Sequence, residues 1–284
     1  MKHILTIIFC ISVSFLVALG GSSAGFIIND NPMIFNCFFI AFGIQFIVFI
    51  PSYLFKTERF FDLTGSITFL SILCYILFNR DISDFNYTGL ILISLISIWT
   101  LRLGLFLFLR IHHDGKDRRF NELKINFLKF SVVWTLQGFW VFVTASCAIA
   151  VLCSNIIIDN FLFIVVGSAI WILGFAIEVV SDMQKRRFRE NNKEQFISSG
   201  LWSYSRHPNY LGEILLWLGI AVICLPNLEG TQYITLISPV FVYLLLTRIS
   251  GINLLEDYAE QKWGKSELYQ DYKKATPVLF PFKK

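Results

Sequence analysis

Charge is what this chain has least of. Asp, Glu, Lys and Arg make up 15% of its 284 residues, while 55% are hydrophobic. That balance excludes a disordered polar chain and excludes a soluble protein with an ordinary charged surface. A separate soluble domain is also missing, because the longest polar stretches run to roughly 20–35 residues, too short to close a core of their own. Cysteine is sparse and scattered: Cys10, Cys37, Cys74, Cys147, Cys153 and Cys224 all fall inside apolar runs, and no two form a Cys-x-x-Cys pair. They read as small buried apolar residues, with neither a disulfide framework nor a metal site expected. No internal repeat is visible.

What the chain does have is phenylalanine, 30 residues of it, and long apolar runs. A membrane span needs about 20 mostly apolar residues. Eight segments approach that length: 4–19, 33–55, 63–79, 87–109, 130–153, 158–181, 210–225 and 233–250. Lys2, His3 and the small-residue run Gly20–Gly25 give the first segment some features of a signal peptide. A retained helix is preferred, because the charges then fall into order. Basic residues cluster in 110–129, 182–207 and 248–284, with Lys2, Lys56 and Arg59 beside the earlier spans, whereas the alternate connections hold only Arg80. Basic loops stay in the cytoplasm. Eight spans place every basic loop on that side, so the net charge of +4 speaks of topology and not of nucleic acid. The expected fold is an all-α polytopic membrane bundle of about eight helices with both termini cytoplasmic. It forms a single integral membrane domain over 1–284, with 1–86 as scaffold and 87–284 carrying the site.

Four polar side chains interrupt the later spans: Arg102, Gln137, Glu178 and Glu213. Each stands seven or eight residues from a basic residue at its cytoplasmic end, which puts all four about 10–12 Å inside the boundary. A charge at such a place costs about 2.5–3.5 kcal/mol on insertion scales. A shared polar cavity would relieve that cost. Pairing of Arg102 with a glutamate, and Gln137 as interhelical glue, would relieve it too.

The cytoplasmic loops carry the chemistry. His112-His113-Asp114 invites a metal, but adjacent histidines diverge on a helix and no third ligand cluster exists. Arg118 and Arg119 suit phosphate or the membrane surface. Lys185 and Arg189 share a face if their helix continues past the membrane, and two converging cations suit a phosphate or diphosphate. The richest stretch is Gly200–Glu213, which includes Trp202, Tyr204, Arg206, His207, Asn209 and Tyr210. Pro208 suits a first helical turn, which makes the neighbouring helix start an anion site. His207 suits proton transfer. In the tail, Glu256 and Asp257 are placed to accept hydroxyls, and the charged aromatic run to Tyr272 suggests a lid.

Trp202 with Arg206-His207-Pro208-Asn209-Tyr210, followed by the Glu256–Tyr272 tail, resembles the C-terminal half of steroid 5-alpha-reductases and sterol C14-reductases. With Thr57–Gly65, Asp114–Phe120 and Leu246–Gly251, the whole chain looks closer still to an uncharacterised bacterial membrane family grouped with them. The resemblance implies an NADPH pocket facing the cytoplasm. Lys185 and Arg189 match its basic pair, Trp202, Asn209 and Tyr210 its tryptophan and Asn-Tyr pair, and Ala259–Trp263, which includes Lys262, its tail stretch; Arg206, His207 and Glu256 are further candidate cofactor-binding residues. Those reductases carry Cys at the position of Ala259 and Asp near Leu255 or Glu256. The Arg-His-Pro-x-Tyr element also occurs in isoprenylcysteine carboxyl methyltransferases, where similar residues hold S-adenosylmethionine and Glu256-Asp257 imitates a tail Glu-Glu pair.

The expectation is an NADPH-dependent reductase of an activated C=C bond in a lipophilic, steroid- or isoprenoid-like substrate. Glu178, Glu213 and Tyr272 are its candidate proton donors. The alternatives are an S-adenosylmethionine-dependent membrane methyltransferase and a non-enzymatic lipid-binding protein. A bacterial inner membrane fits the resemblance, and an endoplasmic reticulum location would carry the same topology.

Overall fold

The computed structural model of the protein describes residues 1–114, 120–192 and 194–281. Among these residues, eight helical segments are long and apolar enough to cross a membrane, and the all-α polytopic bundle is borne out. Seven are single helices: α1 (Lys2–Gly21), α2 (Met33–Leu54), α3 (Phe61–Asn79), α4 (Tyr87–Asp114), α5 (Phe127–Leu152), α6 (Phe161–Asn191) and α7 (Pro208–Cys224). The eighth is composite. It opens as a tight 3-10 helix, Gly230–Leu236, continues as α8 (Ile237–Leu244) and widens into a π-helical turn at Leu245–Ile249. Two short helices follow, α9 (Ile252–Trp263) and α10 (Glu267–Ala275).

Each expected span is present, but α6 runs on to Asn191, ten residues past the apolar run that ended at 181. The extension is made of good helix formers such as Gln, Lys, Arg and Glu, and Arg186 lies 3.8 Å from Glu190 one turn on. Hydropathy measured the apolar run, whereas the helix is set by backbone propensity. The one small sheet among the described residues pairs Ile27 with Pro32 and Ile28 with Asn31. Its turn residues Asn29 and Asp30 both have positive φ, 48° and 64°, as a tight two-residue hairpin turn requires.

The described chain forms two compact units. The first is Met1–Ile164 with Ile223–Ser238, and the second is Val165–Val222 with Pro239–Lys284. In the first, α5 is the axis, with 89% of its span buried. Its second half, Thr144 to Ala150, is mostly small residues, which lets neighbouring backbones come close. Polar side chains here bind helix to helix. Gln137 Nε2 donates to the Phe61 carbonyl at 2.8 Å, and Gln45 Nε2 donates to Thr68 Oγ1 at 2.8 Å. Gln137 thus acts as interhelical glue. Arg102 lies over the Phe106 ring at 5.2 Å. Arg80 is buried and donates to the carbonyls of Leu152 and Ser154 at 2.9 and 2.6 Å, so the sole basic residue of the alternate connections closes the C-terminal end of α5.

In the second unit, α6 and α7 touch backbone to backbone. A Cβ on Gly174 would sit 2.6 Å from the Gly212 carbonyl and the Leu216 amide. A Cβ on Gly212 would sit 2.6 Å from the Gly174 carbonyl and the Glu178 amide. Seven residues along, a Cβ on Gly219 would sit 2.6 Å from the Gly167 carbonyl. Two glycines on each helix, seven apart, meet in antiparallel register. That register sets Glu178, itself buried, against the first turns of α7.

Candidate functional site

The α6 extension and the motif after it are tied together locally. Gly200 has φ +65°, and the Gln184 side chain fills the place a Cβ would take, 2.6 Å away. Gln184 Oε1 accepts from the Leu201 amide at 3.0 Å. A short 3-10 turn, Gly200–Ser203, then buries Trp202, whose indole N–H donates to the Ser181 carbonyl at 3.1 Å. Lys185 Nζ stands 4.6 Å from the centre of the Trp202 ring, close enough for a cation–π interaction. The continued helix therefore carries Lys185 onto the motif, while Arg189 stays exposed one turn further out.

The centre of the motif is a triad of one ion pair and one hydrogen bond between the start of α7 and α9. Arg206 Nη1 lies 2.8 Å from Glu256 Oε2, and His207 Nε2 lies 2.7 Å from Glu256 Oε1. Tyr210 stacks on His207 with ring centres 5.8 Å apart and planes 12° from parallel. Pro208 opens α7, as its fixed φ and missing N–H favour. The tail closes behind this group as a strap. Pro277 accepts from the Arg206 amide at 3.0 Å, Val278 accepts from Ser205 Oγ at 3.4 Å, and the Tyr272 hydroxyl donates to the Trp202 carbonyl at 2.7 Å. Phe196 packs on Trp263, Tyr269 and Tyr272. Lys262 pairs with Glu194 at 3.0 Å, on the outer side of that aromatic cluster.

Arg206 and His207 are 9% and 5% exposed, so their unmet hydrogen-bonding capacity matters. Arg206 Nη1 is already paired with Glu256. Among the described residues, Arg206 Nε and His207 Nδ1 are buried without a hydrogen-bond partner. Such atoms cost about 1–3 kcal/mol each when left unmet and are rare enough in folded proteins to call for a ligand or water. Burial holds the His207 pKa below the ordinary histidine range, with Lys185 and Arg206 adding to the effect and the Glu256 carboxylate opposing it without prevailing. His207 is then neutral near pH 7. Its Nε2–H donates to Glu256, and Nδ1 is left as an acceptor. Burial also pushes the Tyr272 phenol well above its usual value, so Tyr272 keeps its proton and its bond to Trp202.

A pH dependence follows from His207. Because the folded state resists protonation, the unfolded chain takes up this proton first as pH falls below about 6.5. Stability present above that value is lost on acidification towards the lower folded pKa. Melting of the detergent-purified protein between pH 7.5 and 5.5 is expected to fall more steeply for the wild type than for His207→Gln. Parallel curves would remove His207 from this role.

Of the residues singled out in the sequence, the structure brings together Lys185, Trp202, Arg206, His207, Tyr210, Glu256 and Tyr272. Asn209 is half-buried beside them on the first turn of α7, and Glu213 is half-buried one turn later. Arg102 and Gln137 belong to the first unit, whereas Glu178 and Glu213 belong to the second. Arg118 and Arg119, and the side chains of His112, His113 and Asp114, lie outside the described residues. Sequence reasoning missed Gln184, Ser205, Phe196 and the strap Thr276–Leu279. Only the strap had a signal: Thr276-Pro277 and Pro281 bracket an apolar Val-Leu-Phe run that a solvated tail has no use for.

A family model described as "Protein of unknown function (DUF1295)" matches residues 48–276. Among curated proteins, 3-oxo-5-alpha-steroid 4-dehydrogenase 1 from Bos taurus is 29% identical over 119 residues, covering 41% of this chain and 40% of that protein. The protein of the same name from Rattus norvegicus is 28% identical over 118 residues, with the same coverage. The chain thus spans about two fifths of the length of these relatives. No solved structure matches it.

Proposed function

This chain belongs to the DUF1295 family, and from that premise we propose that it is a membrane-embedded, NADPH-dependent reductase of an activated C=C bond in a steroid- or isoprenoid-like lipid. The partial similarity to 3-oxo-5-alpha-steroid 4-dehydrogenases supports the reaction class. One observation carries the cofactor: Arg206, buried, with its Nε hydrogen lacking an acceptor among the described residues, at the start of α7 and beside Lys185 and Trp202. An unmet guanidinium N–H at a helix N-terminus fits a phosphate-bearing ligand. S-adenosylmethionine has no phosphate to offer it. We place the site in the second unit, which lies wholly within the 87–284 part of the chain.

When bound, NADPH supplies hydride, and the protein supplies position and a proton. In this reading Arg206 holds phosphate and Lys185 the 2′-phosphate that NADH lacks, with Arg189 as an outer cation. Trp202 offers its face to a planar ring, and Tyr210 keeps His207 turned so that Nδ1 accepts from a ligand hydroxyl. Asn209 offers a side-chain amide at the helix start. Glu256 does not bind ligand hydroxyls itself but fixes Arg206 and His207. Glu178 and Glu213, on the two helices held by the glycine contact, are the proposed sources of the proton, carried on a carboxyl oxygen. Tyr272, already bonded to Trp202, is the weaker candidate. Lys262, on the outer side of the tail, would act at the rim.

Detergent-purified protein is expected to melt higher with NADPH than with NADH, and to be unmoved by S-adenosylmethionine. Lys185→Ala should lose most of the NADPH shift and little of the NADH shift. Stabilisation by S-adenosylmethionine alone would overturn the reading in favour of a methyltransferase, and no shift with any of the three would favour a non-enzymatic lipid-binding protein.

A further inference from the structure

At the end of the bundle opposite the basic loops, two cysteines lie against each other. Cys37 stands on the second turn of α2, and Cys153 follows the last residue of α5. They are 116 residues apart in sequence, and their Sγ atoms are 4.0 Å apart. Both side chains are buried, at 0% and 2% exposure, and both belong to the first unit. The setting is built rather than accidental. The Cys153 carbonyl accepts from the Phe26 amide at 2.6 Å, Gly25 pairs with Ser154 as an isolated β-bridge, and Arg80 holds the carbonyls on either side, those of Leu152 and Ser154. The end of α5 is thereby fixed against the start of α2. Residues 24–32, 80–86 and 154–158, which surround it, are the connections poor in Lys and Arg, and such connections lie on the non-cytoplasmic side. That is the side on which disulfides form and persist.

We propose that Cys37 and Cys153 are a modification site, oxidised to a disulfide that staples α2 to α5. The sulfurs are at van der Waals contact, and a bond of about 2.05 Å asks each to swing inward about its Cα–Cβ bond. The reaction is a dithiol–disulfide exchange. The thiolate of one cysteine attacks the disulfide of an extracytoplasmic thiol oxidoreductase to give a mixed disulfide. The second cysteine then displaces the oxidoreductase, which leaves as a dithiol. Two electrons and two protons pass from the cysteine pair to that partner. Because the finished site is buried, exchange takes place as the ends of α2 and α5 meet during folding, and the mature bond is shielded from reductant. The staple closes a loop of over a hundred residues, which by the chain-entropy account is among the most stabilising geometries. The other four cysteines stay reduced.

Thiol labelling tests this without needing the variants to fold. Full-length protein made in a host with an intact extracytoplasmic thiol oxidase is quenched in acid, denatured without reductant and treated with maleimide. Four labels are expected, two fewer than the six cysteines, rising to six after reduction. Cys37→Ser and Cys153→Ser should each give five labels without reductant, since each frees its partner. The peptides containing Cys37 and Cys153 should run as one cross-linked species two hydrogens lighter than their sum. Six labels in the unreduced wild type would overturn the proposal, and three labels in either variant would place the bond elsewhere. In a host lacking the oxidoreductase the wild type should give six, and four there would overturn the proposed oxidant.

Discussion

Glu256→Ala is expected to cost about 3–5 kcal/mol of stability and to abolish any nucleotide-dependent shift, because it leaves a buried arginine charge without its counterion. Arg206 is 9% exposed and has Glu256 Oε2 at 2.8 Å, and the same carboxylate takes the His207 Nε2 contact at 2.7 Å. One truncation therefore strips two buried side chains. Glu256→Gln keeps an acceptor of the same shape and should lose less stability, yet it too should lose the nucleotide effect if Arg206 must be held in place. The double variant Arg206→Met with Glu256→Gln removes both charges and is expected to be more stable than Glu256→Ala alone, since a buried ion pair replaced by apolar or neutral groups is often tolerated. Thermal melting of the three proteins in one detergent checks the order. Equal melting of Glu256→Ala and wild type would show that the pair is solvated and would remove the basis for an anion site there.

Gly212→Ala carries the second large effect. Its added Cβ would meet the Gly174 carbonyl and the Glu178 amide at 2.6 Å, and these are backbone atoms that no rotamer change can move aside. Helices α6 and α7 would have to separate, at about 1–3 kcal/mol for a single inserted methyl and more for Gly212→Val. Because Glu178, a proposed proton source, lies at that contact, the proposed activity should fall together with stability. Gly43, on α2, is the control: nothing stands within 4 Å of where its Cβ would lie. Gly43→Ala should be neutral or stabilising by up to about 1 kcal/mol, from helix propensity alone. If both alanine variants melt alike, the glycine register does not set the helix contact.

Length and hydropathy suffice for the spans, because a bilayer demands the same apolar length of any helix, and all eight emerge. The candidate cofactor residues Trp202, Arg206, His207 and Tyr210 were legible because they sit within nine positions of one another. Lys185 joined them by helical spacing once α6 was allowed to continue. Gln137 was legible as a polar residue within a span, but which neighbour it binds depends on α3 and α5 being adjacent. Cys37 and Cys153 were read only as apolar fillers, since a contact across 116 positions leaves no local trace. The heptad-spaced glycines on α6 and α7 were likewise invisible as a pair, because each is an ordinary transmembrane glycine until the facing helix is known.

By itself, then, the sequence determined the class of molecule, its membrane-spanning segments and the stretch that holds the candidate site. Each follows from local composition acting against a fixed environment: hydrocarbon thickness for the spans, and charge retention for the loops. The tertiary structure alone decided that Glu256 belongs to Arg206 and His207, 50 and 49 positions away, and that the tail is strapped to the motif through Pro277. It also decided that two remote cysteines touch. Those are consequences of which helices pack together and in what register. Register depends on backbone approach and side-chain fit summed over whole interfaces, and no short window of sequence contains that sum.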